Sequence, residues 1–183
     1  HPDLRATDAK SAAADMSRTH PDMPDRGADL AARLARFLMR PSVLVHASGD
    51  AAIRSTLRGL LSRTDTVILD AGSNPAMFET VLAAGACALR CPSGSLDAVE
   101  RRLLRLRRQP GTGRILVCVP AIGRLTSVAA DLADLSALCI RHDATLVVDA
   151  SQDIGSVGQG GRGMAEVLGC LGQIDVILGN LAP

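Results

Sequence analysis

The chain contains 183 residues, 47% of them hydrophobic, and it balances 20 Lys and Arg against 19 Asp and Glu for a formal net charge of +1. This length and apolar content suffice for a compact domain with a buried core, and they exclude a disordered chain. The near-neutral charge argues against a nucleic-acid partner. The aromatic content of 1% also leaves no stacking platform for single-stranded bases.

Cysteine usage and hydropathy indicate where the protein resides. The cysteines are odd in number, and three of them lie in apolar runs; they are Cys87, Cys91, Cys118, Cys139 and Cys170. This pattern predicts reduced, buried thiols in a cytoplasmic protein. No second Cys or His pair stands at zinc-site spacing, so no metal site is predicted. No run of about 18 apolar residues occurs, so no membrane span is predicted.

Helical and strand-like hydrophobic patterns alternate along the chain. In chain order they predict a helix over 27–40, a strand over 42–47, a helix over 48–62, a strand over 66–70, a helix over 74–84, a strand over 86–90, a helix over 95–108, a strand over 114–119, a helix over 128–142, a strand over 145–149, a Gly-rich loop over 151–163, a short helix ending near 168 and a strand over 174–178. Asn74 is the predicted N-cap of its helix, because Pro75 follows it at the first helical position.

The strands are continuous runs of Val, Ile and Leu, which is typical of strands buried on both faces. Alternation with helices then predicts an α/β fold with a mostly parallel sheet and helices on both of its faces. Residues 1–26 show no clear period and are predicted to be a lead-in segment before a single domain over 27–183.

Ligands of such sheets bind outside the carboxyl ends of the strands. The informative positions are therefore Ser48-Gly49, 70–74, 120–124, 149–152 and 179–183. Asp149 ends an apolar strand, where a carboxylate either caps the following loop or pairs with a bound cation. The glycines over 158–163 follow a loop rather than a strand, so a dinucleotide fingerprint is not predicted.

Three segments carry a resemblance to a known family. TLVVDASQDIGSVGQGGRGMAE over 145–166 resembles a strand ending in V-D-[DE]-A-H followed by spaced glycines and G-R-G. VHASGDAA over 45–52 resembles an S-G-[FY]-x-A-N turn, and IDVILG over 174–179 resembles the strand before a Schiff-base lysine. These motifs are those of the α-oxoamine synthases, which depend on pyridoxal phosphate (PLP). The resemblance implies the large domain of a PLP-dependent transferase of fold type I, without the C-terminal small domain.

The resemblance assigns cofactor roles to five residues. Asp149 would lie beside the pyridine nitrogen, where an anion keeps the ring protonated as an electron sink. Ser48 and Gly49 would bind the phosphate at a helix N-terminus. Asn74 stands where the family has its ring-stacking histidine, and Gln152 stands at the last position of V-D-[DE]-A-H.

Several positions depart from the family pattern. The Schiff-base lysine falls on Pro183, which has no amine, and Lys10 is the only lysine in the given sequence. The family's S-M-D-G-D loop falls on 124–128 without its acids, and Asp50 replaces the aromatic residue after S-G. No catalytic residue is therefore predicted, and PLP binding is expected to be weakened or lost.

The effect of the Asp50 carboxylate on an empty helix N-terminus can be compared with its effect on a bound phosphate. A first-turn carboxylate stabilises an empty helix N-terminus by about 0.3–1 kcal/mol. At about 5 Å from a phosphate, with an effective dielectric of about 20, it costs about 3 kcal/mol per unit of opposing charge. Asp50 therefore suits a helix without phosphate if its side chain faces inward, and an outward orientation stays open.

Three hypotheses of function follow from the resemblance. Active members of the family join an acyl thioester to an amino acid with loss of carbon dioxide. The first hypothesis is a non-catalytic homologue that stabilises a partner, as a homodimer or as a heterodimer with a catalytic homologue. The second is an active PLP-dependent acyltransferase whose lysine lies beyond Pro183. The third is a small-molecule binding module that has changed its ligand.

Overall fold

The computed structural model describes residues 26–124 and 126–181. The chain divides into two compact units, His1–Ala47 and Ser48–Pro183. The first unit contains helix α1 (Arg26–Phe37), which the hydrophobic period predicted. Residues 42–47 form no strand, so that prediction is wrong. An apolar run needs a hydrogen-bonded neighbour to become a strand, and none of the described strands pairs with these residues.

The second unit is built on a sheet of five parallel strands in the order β2-β1-β3-β4-β5. The strands are β1 (Thr66–Asp70), β2 (Cys87–Cys91), β3 (Ile115–Pro120), β4 (Thr145–Asp149) and β5 (Val176–Leu178). The register pairs Pro120 with Asp149, and Asp149 with Leu178. The carboxyl ends of β3, β4 and β5 therefore meet at one edge of the sheet.

The helices of the second unit are α2 (Gly49–Leu60), α3 (Pro75–Ala83), α4 (Leu96–Arg107), α5 (Leu132–Arg141) and the short α6 (Met164–Val167), with a 3-10 turn at Leu171–Gln173. Helix α2 precedes β1, the later helices connect successive strands, and α2 to α5 begin at side-chain caps. The side chains of Ser48, Asn74 and Ser95 accept backbone N–H groups of α2, α3 and α4 respectively. The predicted cap at Asn74 is confirmed.

Two element starts differ from the prediction by more than one residue. Helix α5 begins at Leu132 rather than near 128, because Asp131 caps it and Ala129 pairs with Ile122 in an isolated bridge. Strand β5 begins at Val176 rather than 174, because the 3-10 turn ends just before Ile174.

The core lies on both faces of the sheet. On one face Ile68, Val117 and Leu146 pack with side chains of α4 and α5, including Leu103 and Leu138. On the other face the alternate strand residues Val67, Leu69 and Leu116 pack with side chains of α2 and α3, including Leu57 and Met77. This two-sided packing confirms the predicted α/β fold with helices on both faces.

Four of the five cysteines are buried as predicted, whereas Cys87 is exposed. Cys87 is the first residue of β2, an edge strand of the sheet, whereas Cys91 at the end of the same strand is buried. Burial raises the pKa of the Cys118 and Cys139 thiols to about 12. Among the helices of the described residues, none is long and apolar enough to cross a membrane.

Candidate functional site

A cavity of about 390 Å³ opens at the carboxyl edge of the sheet. Its size falls within the range of about 300–1,000 Å³ that is usual for small-molecule sites. Its lining comes from the start of α2 and from the segments after β1, β3, β4 and β5; it comprises Ser48, Gly49, Asp50, Ile53, Asn74, Pro120, Ile122, Arg124, Asp149, Ser151, Gln152 and Asn180. All five residues with predicted cofactor roles thus line a single cavity.

Asp149 supplies a buried negative charge to the cavity. It is the last residue of β4 and is 7% exposed. One of its carboxylate oxygens, Oδ1, accepts the backbone N–H of Ser151 at 3.1 Å. The side chain therefore caps the loop after β4 and also lines the cavity. The two alternatives for Asp149, a loop cap and a partner for a bound cation, are compatible. A carboxylate in this position suits a ligand with a protonated nitrogen.

The N-terminus of α2 forms another side of the cavity. Ser48 caps the helix through its hydroxyl, which accepts the N–H of Ala51 at 3.1 Å. A Cβ built on Gly49 would meet only the Asn180 side chain, at 3.8 Å, so the backbone there is open to a ligand. Asp50, in the first turn, also lines the cavity. The structure thereby places a carboxylate beside the helix end that was predicted to bind phosphate.

Asn74 and Gln152 line the cavity with neutral amides. The Oδ1 atom of Asn74 accepts the N–H of Ala76 at 3.0 Å, so this side chain is held as the cap of α3. Gln152 lies in the loop after β4, where it is exposed and lines the cavity. Neither side chain has a ring that could stack on a flat ligand.

The predicted cofactor residues did not include the apolar wall or the cation of the cavity. Ile53, Pro120 and Ile122 supply apolar surface, and Arg124 carries the one positive charge among the described lining residues. The rule that ligands bind beyond strand ends pointed to residues 120–124, but not to which side chains would face the cavity.

The Gly-rich loop after β4 is held by the carboxylate of Glu166. This carboxylate accepts the backbone N–H groups of Arg162 at 3.0 Å and of Gly160 at 3.1 Å, and it pairs with the Arg162 guanidinium at 2.8 Å. These hydrogen bonds, with the one from the Arg162 backbone first, lower the pKa of Glu166. The loop is thereby closed on itself beside the cavity.

Asp153, in the same loop, is buried and forms no salt bridge with any residue that the structure describes. Its exposed fraction is 0%. Oδ2 accepts the N–H of Met164 at 2.6 Å at the start of α6, while Oδ1 has no hydrogen-bond partner. Burial raises the pKa of Asp153, and the charge of Asp149 adds to that effect. Sequence periodicity gave no signal for this residue, because it lies in a loop.

The raised pKa of Asp153 predicts a loss of stability as pH rises. Above about pH 4, the ordinary pKa of aspartate, the unfolded chain releases this proton while the folded chain retains it, so the free energy of unfolding falls until the folded pKa is passed. Asp153→Asn stays neutral and is expected to flatten this decline. Denaturant titrations of the full-length protein from about pH 4 to neutrality measure it.

The matched control for Asp153 is Asp97→Asn, which alters an exposed first-turn acid of α4. Its pH profile is expected to follow that of the unaltered protein. An Asp153→Asn profile that is parallel to that of the unaltered protein would contradict a raised pKa at this site.

These residues fit one part of a PLP molecule and not the rest. The buried Asp149 and the size of the cavity suit the protonated pyridine ring. The described lining residues include no primary amine, imidazole or aromatic ring, and Asp50 adds negative charge where a phosphate would lie. Lys10 and Pro183, the two positions that bear on a covalent link, lie outside the described residues.

Curated proteins of similar sequence match most of this chain. An 8-amino-7-oxononanoate synthase from Pelobacter propionicus is 35% identical over 147 residues, which are 80% of this chain and 37% of that protein. The 2-amino-3-ketobutyrate coenzyme A ligase of Escherichia coli is 28% identical over 157 residues, which are 86% of this chain and 39% of that protein. The chain therefore spans about two fifths of the length of these relatives. No model of a protein family matches it.

Solved structures agree with this relationship. A serine palmitoyltransferase from S. paucimobilis with a bound PLP–myriocin aldimine has a TM-score of 0.79 and 25% sequence identity to this chain. The match covers 94% of this chain and 44% of that one. The predicted resemblance to the PLP-dependent transferase fold is thereby confirmed.

Proposed function

Because the chain belongs to the α-oxoamine synthase family, we propose that it is a non-catalytic member that keeps a pocket for a vitamin B6-type ring and acts by stabilising a homologous partner chain. Residues 27–183 would form the cofactor-binding large domain of this member. Free thiols suit the cytoplasm as its location, because that compartment keeps cysteines reduced.

The observation that carries this proposal is the lining of the cavity. Asp149 remains as the anion that a pyridinium needs, while the groups that would act on a substrate are replaced. Asn74 is held as a helix cap and has no aromatic ring to stack on a cofactor. Gln152 can form a hydrogen bond, but an amide does not exchange protons near neutral pH and cannot serve as a general acid or base.

A scaffold without catalytic groups can still serve a partner. Both faces of the sheet retain continuous apolar cores, so the fold does not depend on the missing chemistry. The resemblance implies that sites in this family lie between subunits, so a non-catalytic chain can complete the site of a catalytic one. This supports a heterodimer with a catalytic homologue, or a homodimer in its absence.

Co-expression of the full-length protein with a lysine-bearing member of the family tests both parts of this proposal. The purified sample is supplied with PLP, reduced with borohydride and analysed by mass spectrometry. We expect the two chains to elute together, with a phosphopyridoxyl group on the partner chain and none on this one. A variant of the partner with its Schiff-base lysine changed to alanine is the control, and it should remove the modification without separating the chains.

Two outcomes would overturn the proposal. A phosphopyridoxyl group on this chain would support the active enzyme whose lysine lies beyond Pro183. Separate elution of the two chains would remove the partner role and leave the small-molecule binding module as the remaining hypothesis.

A further inference from the structure

We propose that the cavity takes an unphosphorylated B6 vitamer, such as pyridoxine or pyridoxal, in preference to the 5′-phosphate. This inference rests on the part of the proposed function that gives the cavity a B6-type ring. It adds the chemical class of the ligand, and the residue that determines this class is Asp50.

The formal charges of the cavity lining favour a ligand without added negative charge. Asp50 and Asp149 contribute two negative charges, and Arg124 contributes one positive charge. A protonated pyridine nitrogen pairs with Asp149 and brings the sum close to neutrality. A phosphate ester adds about −1.5 to −2 charges at neutral pH and leaves the site with a net negative charge.

Asp50 acts where the phosphate would have to lie. A helix N-terminus attracts anions through its unpaired N–H groups, and Gly49 leaves these accessible from the cavity. Two features reduce that attraction at α2. Ser48 already binds the N–H of Ala51, and the Asp50 carboxylate supplies a negative charge of its own.

The same carboxylate suits a free hydroxymethyl group. A hydroxyl donates a hydrogen bond that Asp50 can accept, whereas a fully ionised phosphate has only acceptor oxygens. Asp50 therefore adds a hydrogen-bond acceptor and a negative charge at the end of the cavity where a phosphate requires donors.

Calorimetric titration of the full-length protein with pyridoxine and with pyridoxine 5′-phosphate tests this inference. Neither probe has an aldehyde, so no covalent link to an amine can affect the comparison. We expect pyridoxine to bind at least about tenfold more tightly, a ratio that corresponds to about 1.4 kcal/mol. The ratio should shrink as salt is raised, because Asp50 is exposed and its repulsion is screened.

Variants then attribute the preference to Asp50. Asp50→Asn is expected to tighten binding of the phosphate ester by about tenfold while changing pyridoxine binding much less. The matched control is Asp134→Asn, which removes an exposed first-turn acid of α5 that does not line the cavity. It should leave both affinities unchanged.

Three results would overturn the inference. The first is binding of the phosphate ester as tight as that of pyridoxine, and the second is an affinity ratio that Asp50→Asn does not change. The first result includes tighter binding of the ester; Arg124→Gln would then abolish that advantage if Arg124 held the phosphate. The third is that neither probe binds, which also removes the B6 ring from the proposed function but leaves the partner role to the co-expression experiment.

Discussion

Replacing Gly163 by alanine is expected to lower the free energy of unfolding by about 3 kcal/mol or more. Gly163 precedes α6 with φ 82° and ψ −171°, a backbone conformation that is essentially restricted to glycine. An added Cβ would also lie 2.5 Å from Oδ2 of Asp153, the atom that accepts the N–H of Met164. The substitution therefore combines backbone strain with the loss of a buried hydrogen bond.

Gly169→Ala separates these two causes. Gly169 also has a positive φ, of +66°, but a Cβ there would meet no atom within 4 Å. Gly169→Ala therefore loses only the free energy of holding an alanine at positive φ, about 1–2 kcal/mol. Denaturant unfolding of the full-length variants measures both values. Equal losses at the two glycines would show that the contact with Asp153 contributes nothing.

Predictions from the sequence were most accurate where local pattern and burial agree. Strands β1 and β4 match their predicted limits, because a continuous apolar run in a central parallel strand is buried on both sides. Asn74 before Pro75 marked the start of α3 because both residues act within a single turn. Asn74, Asp149 and Gln152, three of the residues with predicted cofactor roles, line one cavity because parallel strands bring their carboxyl ends to one edge. Ser48 and Gly49 follow no strand and line the same cavity from the start of α2.

The errors and omissions have a common physical cause, which is dependence on distant partners. The run 42–47 is apolar enough for a strand, but a strand is defined by its neighbours. Cys87 lies in an apolar run, yet the order of the strands places it on an edge. The burial of Asp153 depends on the path of the loop that covers it, and no periodic pattern records that path.

Asp70→Asn is expected to cost about 2–4 kcal/mol of folding free energy although Asp70 ends a strand beside the candidate site. Asp70 is 6% exposed. Its Oδ1 accepts the N–H of Gly72 and the hydroxyl of Ser93, each at 2.7 Å, and its Oδ2 accepts the N–H of Gly94 at 2.8 Å. An asparagine keeps the shape, but its amide nitrogen then opposes one of these donors.

The measurement that assigns Asp70 to structure rather than binding uses two readouts on the full-length protein. Denaturant unfolding should show the loss of stability, while pyridoxine affinity of the folded protein should be retained, because Asp70 does not line the cavity. Asp97→Asn, at an exposed position in the first turn of α4, should cost less than about 1 kcal/mol. Unchanged stability with weakened pyridoxine binding would instead place Asp70 in the binding site.

A carboxylate at the end of a parallel strand can therefore either bind a ligand, as proposed for Asp149, or join two loops, as Asp70 does. The number of hydrogen-bond donors that the carboxylate already accepts distinguishes the two roles.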